Sequence, residues 1–323
     1  MFRQILVPLD RSALAEQALG RAASLARASH AAVDVALVHE PLPFAAYNDI
    51  PWHAEQWRDE QRYLDAIVQE LVSGAAVSVS HSVLRGAAVD MICQRAREID
   101  ADLIVMTSHG RTGLNRFWLG SVADAVIRRS GIPVLVLRPI ENATRRDATK
   151  PFSKILVPLD GSALAADALE SAISLAKCSA ARLVLLRVVQ PVPLVGIEPG
   201  LPYAYAALAP DQIATEGLAN EARRELADVA RRLRIESGLD VEPFVVIASN
   251  VAQGIIDFAR GQDVDAIAMS THGRGASRLL LGSVADKVLR ASGLPMLLHR
   301  PVEVAVSADA KPLMAEEVPS WSV

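Results

Sequence analysis

The chain repeats itself, and the repeat extends over most of its 323 residues. The segment ILVPLD occurs at residues 5–10 and again at 155–160, and GSVAD occurs at 120–124 and again at 282–286. Repeats of this length are duplicated domains, because the units of a solenoid have periods of only about 20–50 residues. The sequence therefore predicts two similar domains, at residues 1–140 and 151–301. A polar linker at 141–150 joins them, and a disordered tail is expected at 302–323.

The two copies differ in length. The offset between them grows from 150 residues at Asp10 and Asp160 to 163 residues at Gly110 and Gly273, so the second copy carries 13 additional residues. These residues fit best in 191–210, a stretch with five prolines that can be neither regular helix nor central strand.

Within each copy, short apolar runs alternate with helical patterns. In the first copy the predicted strands are 4–8, 33–38, 76–83, 103–106 and 133–137, and the predicted helices are 13–28, 53–72, 87–98 and 120–129. Such alternation predicts right-handed crossovers and a mostly parallel sheet with helices on both faces. The fold class is therefore α/β, with two Rossmann-like open parallel five-stranded sheets.

Composition excludes several classes of function. The net charge of −4 is spread without a basic patch of the kind that nucleic acid requires. The two cysteines, Cys93 and Cys178, fall one in each half inside helical patterns, which fits a reducing cytosol. No basic-then-apolar leader opens the chain, and no uncharged apolar run reaches the roughly 18 residues of a membrane span. We expect a cytoplasmic location and no nucleic-acid or membrane partner.

Chemistry-bearing residues follow the first and fourth predicted strands. In an open α/β sheet the ligand binds beyond the carboxyl ends of the strands, where the strand order reverses. Asp10 follows the first strand, and the segment 107–110 follows the fourth. Gly120 and Ser121 then begin the last helix, whose N-terminal amides and partial positive charge suit phosphate. Ser12 is the better N-cap of the first helix, which leaves Asp10 available to a nucleotide.

These motifs resemble the universal stress protein family. The resemblance rests on strand-Pro-x-Asp, then His-Gly-Arg, a nine-residue spacer counted from Gly110, and Gly-Ser-Val, and it covers about 290 residues. The family's ATP-binding pattern is G-x2-G-x9-G-[ST]. In the first copy Thr107 occupies the position of the first glycine. In the second copy Ser270 does so, and the spacer between Gly273 and Gly282 has eight residues.

The resemblance implies a ligand and a role for each matching residue. The ligand is ATP or a related adenine nucleotide, with or without Mg²⁺, and the protein is a stress-response regulator or sensor. In the first copy, Pro8 and Asp10 would contact the adenosine end, Met106 and Thr107 would line the base and ribose pocket, and Gly110, Gly120, Ser121 and Val122 would hold the phosphates. Their partners in the second copy are Pro158, Asp160, Met269, Gly273, Gly282, Ser283 and Val284. No catalytic residue and no metal ligand is predicted.

The resemblance also implies that the domains pair through their last strands, as an internal pseudo-dimer. Residues 134–137 and 296–298 are apolar edge strands in need of cover, and pairing them within one chain provides it. A homodimer of the whole chain remains open.

Two alternatives stay open on the sequence alone. Both pockets could be degenerate, which would make the protein a nucleotide-independent scaffold. Slow ATP hydrolysis is the other alternative, with Asp124 and Asp286 near the phosphates, although both could equally compensate the helix dipole. His109 and His272 lack a nucleophile motif and are interpreted as loop-structuring or phosphate-facing. Because the second spacer is one residue shorter, we expect the first half to hold the better nucleotide site.

Overall fold

The computed structural model of the chain describes residues 1–40, 50–75, 77–108, 119–139, 149–193, 211–271 and 282–300. The strands are β1 (Gln4–Leu9), β2 (Ala32–His39), β3 (Val79–Arg85), β4 (Leu103–Thr107), β5 (Val134–Leu137), β6 (Lys154–Pro158), β7 (Arg182–Val189), β8 (Val241–Ile247), β9 (Ala266–Ser270) and β10 (Met296–His299). The helices are α1 (Ala13–Ser29), α2 (Ile50–Ala75), α3 (Ala88–Glu98), α4 (Ser121–Arg129), α5 (Ala163–Ser179), α6 (Gln212–Ser237), α7 (Val251–Gly261) and α8 (Ser283–Ala291). None of these helices is long and apolar enough to cross a bilayer.

The predicted elements are all present in the first copy, with shifted ends. The largest shifts are of three residues: α2 is extended by three at each end, and β3 begins at Val79 rather than at residue 76, because α2 continues to Ala75. The tail at 302–323, most of the linker and most of the proline-rich insertion lie outside the described residues.

The strands form one ten-stranded sheet in the order β3-β2-β1-β4-β5-β10-β9-β6-β7-β8. Neighbouring strands are parallel within each half, so the predicted α/β fold with parallel five-stranded halves is confirmed. The two five-stranded sheets are joined edge to edge. In each half the strand order reverses beside the first strand, between β1 and β4 and between β6 and β9.

The joint between the halves is an antiparallel pair formed by β5 and β10. Val134 faces Leu298, Leu135 faces Leu297, and Val136 faces Met296. All six side chains are buried, so each half covers the apolar edge of the other, as predicted for the last strands. Because the pair is antiparallel, the carboxyl ends of the strands point in opposite directions in the two halves. Any site at those ends therefore opens at opposite edges of the sheet.

The sheet separates two apolar layers, and each layer runs through both halves. One layer contains α1, α2, α5 and α6, and the other contains α3, α4, α7 and α8. Side chains alternate between the layers along each strand: Ile5 and Val7 belong to the first and Leu6 to the second.

A basic side chain bridges the halves on the first layer. The guanidinium of Arg21, on α1, lies 4.0 Å from the ring centroid of Phe152 and donates to the carbonyl of Lys150. Burial lowers the pKa of Arg21 to about 10, although the negative charge of Asp265 acts to raise it. Arg21 therefore remains a cation at neutral pH, and it ties α1 to the start of the second domain through cation–π and hydrogen-bond contacts.

The cores of the two copies differ in one buried polar cluster. In the first copy Asp34 is fully buried on β2, where it accepts hydrogen bonds from Arg95 Nε (3.0 Å), Arg95 Nη2 (2.8 Å) and Ser80 Oγ (2.7 Å). The hydrogen bond to Asp34 is the main cause that raises the pKa of Arg95. At the matching places in β7 and α7 the second copy has Val184 and Phe258. One fold thus accepts either an ion pair or an apolar pair at this place.

Replacing Arg95 by Leu should destabilise the protein strongly. The substitution leaves the carboxylate of Asp34 buried without its cation, which costs about 3–5 kcal/mol of unfolding free energy in comparable cases. The double variant Asp34→Val with Arg95→Phe, which installs the residues of the second copy, should recover most of that loss. Urea unfolding measures both variants. A single variant as stable as the parent would contradict the assignment.

Candidate functional site

The carboxyl ends of β1 and β4 meet where the strand order of the first half reverses. β1 and β4 are neighbours, with Ile5 facing Leu103, so Asp10 directly after β1 lies beside the end of β4. Met106 and Thr107 end β4, and both are buried. The predicted first-half residues Pro8, Asp10, Met106 and Thr107 are therefore brought to one edge of the sheet.

Backbone hydrogen bonds tie the start of α4 to the end of β4. The amide of Ser108 donates to the carbonyl of Leu137 (2.8 Å), and the amide of Gly120 donates to the carbonyl of Ser108 (2.7 Å). The second half has the same two hydrogen bonds. The amide of Thr271 donates to the carbonyl of His299 (2.8 Å), and the amide of Gly282 donates to the carbonyl of Thr271 (2.7 Å). In each half, the residues on the two sides of the glycine loop are therefore hydrogen-bonded to each other. The loops themselves, with Gly110, Gly273, His109 and His272, lie outside the described residues.

Glycine occupies the N-cap of both helices that begin at these points. Gly120 precedes α4 and Gly282 precedes α8, both with extended ψ values near 145° (148° and 142°), and neither helix has a side-chain cap. Ser121 and Ser283, the first helical residues, are exposed. A helix that begins with glycine has first amides that its own N-cap side chain does not occupy, and they lie at the positive end of its dipole. This arrangement fits the phosphate groups of a nucleotide.

The carboxylate of Asp10 braces the turn that leads into α1. Asp10 Oδ1 accepts hydrogen bonds from the amide of Ser12 (3.0 Å) and from its hydroxyl (2.6 Å). Ser12 Oγ in turn accepts from the amide of Ala15 (3.1 Å) and so caps the helix as predicted. The cap does not leave Asp10 without a partner, since Oδ1 of its carboxylate is held by Ser12; a contact of Asp10 with a nucleotide stays a prediction. Asp160 and Ser162 repeat the pair at 2.9 and 2.6 Å.

The second half encloses a cavity of about 700 Å³ at the corresponding edge. Its lining includes six of the seven residues predicted for the second copy: Pro158, Asp160, Met269, Gly282, Ser283 and Val284. The volume lies within the roughly 300–1,000 Å³ typical of small-molecule sites. We call this cavity the second cleft, and the matching edge of the first half, at the ends of β1, β2 and β4, the first cleft. That the first cleft is the better site stays a prediction.

Sequence reasoning missed the end of the second cleft that lies beside β7. Arg187, Glu221 and Glu225 line it there, from the end of β7 and from α6. The one sequence signal was an arginine inside the otherwise apolar strand RLVLLRVV, where the first copy has Leu37.

Gly161 makes room for that arginine. Its φ of +81° is in the left-handed region, and a Cβ at this position would lie 2.5 Å from Arg187 Nη2 and 2.6 Å from Nη1. Arg11 occupies the same place in the first copy, also with a positive φ (67°). Its guanidinium lies 5.7 Å from the ring centroid of Tyr63. The two copies therefore bring an arginine to this turn from different sequence positions.

A buried pair at the end of β2 was also missed. His39 Nδ1 lies 2.9 Å from Glu60 Oε2, and the two side chains are only 3% and 5% exposed. Their counterparts in the second copy are Val189 and Ala222, which line the second cleft. The first copy thus has a polar pair where the wall of the second cleft is apolar.

Asp124 and Asp286 form ion pairs within their own helices. Asp124 receives Arg128 Nη2 (2.8 Å) and Nε (3.0 Å), and Asp286 receives Arg290 Nε at 2.9 Å from both oxygens. Both acids lie in a first helical turn, where a negative charge is favourable. Within the part of the chain that the structure describes, no group of three or more His, Cys, Asp or Glu side chains is arranged to hold a metal ion.

A model of the universal stress protein family matches the chain twice, at residues 1–138 and 151–300. A curated universal stress protein of Methanocaldococcus jannaschii is 30% identical over 141 residues, which span 43% of this chain and 83% of that protein. Another, from Mycobacterium tuberculosis, is 28% identical over 203 residues, which span 62% of each protein.

Solved structures show the same architecture over nearly the whole chain. The crystal structure of a universal stress protein from Archaeoglobus fulgidus superposes with a TM-score of 0.67, and the match covers 92% of this chain and 98% of that one. At 20% sequence identity, this likeness shows the fold alone.

Replacing Gly161 by Ala should destabilise the protein by about 1–2 kcal/mol, the cost of placing a Cβ in the left-handed region. The matched control is Gly217→Ala on the exposed face of α6, where a Cβ meets nothing within 4 Å. That control should be stabilising by up to about 1 kcal/mol, because Ala is the better helix former. Urea unfolding compares the two variants. A gain in stability at both positions would contradict the role assigned to Gly161.

Proposed function

The chain belongs to the universal stress protein family, and on that premise we propose that it binds ATP or a related adenine nucleotide in its first cleft. We further propose that it acts as a cytoplasmic stress-response regulator or sensor. The observation that carries the proposal is the glycine-capped start of α4, tied by its backbone to the end of β4 beside Asp10. A helix N-terminus at a strand-order reversal is a common place for phosphate binding, and the start of α4 lies at such a place.

The proposed ligand lies along the carboxyl edge of the strands. Its phosphates would accept hydrogen bonds from the first amides of α4 and from the hydroxyl of Ser121. Its ribose would donate to Asp10, whose carboxylate is already fixed in place by Ser12. Met106 and Thr107 would line the base and ribose, where the buried end of β4 supplies an apolar wall.

The ion pairs formed by Asp124 and Asp286, near the proposed phosphate positions, favour a regulatory role over metabolic catalysis. Asp124 and Asp286 are engaged by arginines one helical turn away, so their geometry is that of dipole-compensating ion pairs. A cytoplasmic location is supported by Cys93 and Cys178, which are both free thiols.

Replacing Ser121 by Glu should weaken ATP binding at least 10-fold, because the new carboxylate repels the phosphates. The same substitution should leave the melting temperature unchanged or raised, since an acid in the first turn favours the helix dipole. Isothermal titration of the full chain with ATP measures the first effect, and thermal unfolding measures the second.

Ser121→Gln is the matched control, of similar size without the charge, and it should retain most of the affinity. Equal ATP affinity in Ser121→Glu and the parent would place the site elsewhere. Absence of ATP binding at millimolar concentration by the intact, folded parent would favour the scaffold alternative.

Replacing Asp10 by Asn should lower ATP affinity about 10-fold or more, the usual effect of losing a charged hydrogen-bond acceptor. The amide oxygen of Asn can still accept from Ser12, so the turn into α1 should remain formed. Asp10→Ala would confound the two roles, because it removes the brace as well. Calorimetry with ATP and thermal unfolding separate them. Unchanged affinity in a stably folded Asn variant would show that Asp10 is structural only.

A further inference from the structure

Arg187 lies at the end of the second cleft opposite the helix N-terminus. The phosphate end is formed by Gly282 and Ser283, which follow β9, whereas Arg187 comes from β7. β6 lies between those strands, so the two ends are separated by two strand spacings, about 10 Å. Asp160 lies between them, at the end of β6. A nucleotide held by its phosphates at Gly282 would therefore direct its base toward Arg187.

The guanidinium of Arg187 is held in place by hydrogen bonds that use only some of its N–H donors. Its side chain is 16% exposed; Nη1 donates to the carbonyl of Leu159 (3.2 Å), and Nη2 donates to Glu225 (3.3 Å). A guanidinium carries five N–H donors, so three of them bond to no described residue. A partly buried cation with donors to spare, at the wall of a cavity, is suited to a ligand that supplies acceptors.

The fold does not require an arginine at this position of the second strand of each half. The first copy has Leu37 at the same place in its second strand, and Tyr63 at the place of Glu225 in the facing helix. Those residues support the same strand pairing and the same helix packing. The first copy brings Arg11 to the turn after its first strand instead, so what is particular to the second cleft is an arginine on the strand itself, paired with Glu225.

The neighbouring charges limit the class of ligand. Glu221 and Glu225 line the cleft at this end and Asp160 lines it at the neighbouring strand, so three carboxylates lie around one guanidinium. A second phosphate group would be repelled. A neutral base that offers two acceptors to the guanidinium and N–H donors to the carboxylates would be bound.

Guanine has that pattern. Its O6 and N7 are adjacent acceptors that a guanidinium binds with two hydrogen bonds, and its N1–H and N2–H₂ groups donate to carboxylates. Adenine places an amino donor beside N7, which would face the donors of Arg187. We propose that the second cleft selects guanine nucleotides and that Arg187 is its specificity-determining residue. This inference rests on the proposed nucleotide-binding function.

The test uses the full chain carrying Ser121→Glu, which weakens nucleotide binding in the first cleft, titrated separately with GTP and ATP. GTP should bind at least 10-fold more tightly than ATP. Arg187→Leu, which installs the residue of the first copy, should weaken GTP binding 10- to 100-fold and change ATP binding less than 2-fold. Arg187→Lys should weaken GTP binding similarly, because lysine keeps the charge but lacks the paired donors. The Lys variant also serves if the Leu variant fails to fold.

A modified ligand identifies the contact atom. 7-deaza-GTP replaces N7 by a C–H group and should bind at least 10-fold more weakly than GTP when Arg187 is present. In Arg187→Leu the two ligands should bind alike, because the contact is already lost. If 7-deaza-GTP binds as tightly as GTP when Arg187 is present, the proposed contact is overturned.

Arg182→Leu is the matched control, since Arg182 begins the same strand and pairs with Glu242 at the opposite end from the cleft. It should leave GTP binding unchanged. Equal loss of GTP and ATP binding in Arg187→Leu would assign Arg187 a merely structural role. ATP binding tighter than GTP binding would overturn the guanine proposal while leaving the proposed function intact. Failure of the parent chain to bind either nucleotide would overturn the proposed function itself.

Discussion

Three buried residue pairs between β5 and β10 hold the two halves in one sheet. Each half ends in a short apolar strand that would be an exposed edge alone, and each covers the edge of the other. Because this pairing is antiparallel, it sets the two clefts at opposite edges of the sheet. It also makes both apolar layers continuous across the chain. The halves therefore share one core, while the edges at which their strands end remain separate.

Separation of the clefts from the joint explains where the copies have diverged. The joint and the layers beneath it keep aliphatic residues in both halves. The residues that differ in chemistry between the copies lie at or near β2 and β7. Asp34 and Arg95 have apolar counterparts in the second copy, and the pair His39 and Glu60 is replaced there by Val189 and Ala222. Leu37 is replaced by Arg187. The glycine N-cap and its backbone tie to the preceding strand are the same in both copies.

The sequence predicted those features that depend on local spacing. Apolar runs located the strands of the first copy within about three residues, and the strand-end rule brought Asp10 to the end of β4. Contacts between distant segments were not predictable in this way. The position of Arg187 over Gly161 joins a strand to a turn 26 residues earlier, and His39 at the end of β2 meets Glu60 on α2, 21 residues later. Nor did spacing show that Asp10 binds Ser12, because that depends on the rotamers of the turn.

The turn after the first strand of each half shows how one backbone constraint can produce two different clefts. Position 11 and its counterpart 161 both have positive φ, which the chain needs in order to enter the helix. The first copy accepts the strain of a non-glycine residue there, and Arg11 reaches Tyr63 on α2. The second copy removes the strain with glycine, and the space so created admits the guanidinium of Arg187 from β7. In both copies an arginine guanidinium lies near the turn. In the second copy that arginine, Arg187, comes from β7 and lines the second cleft. Relief of backbone strain at this one position is therefore linked to a change in the side chains that line the cleft.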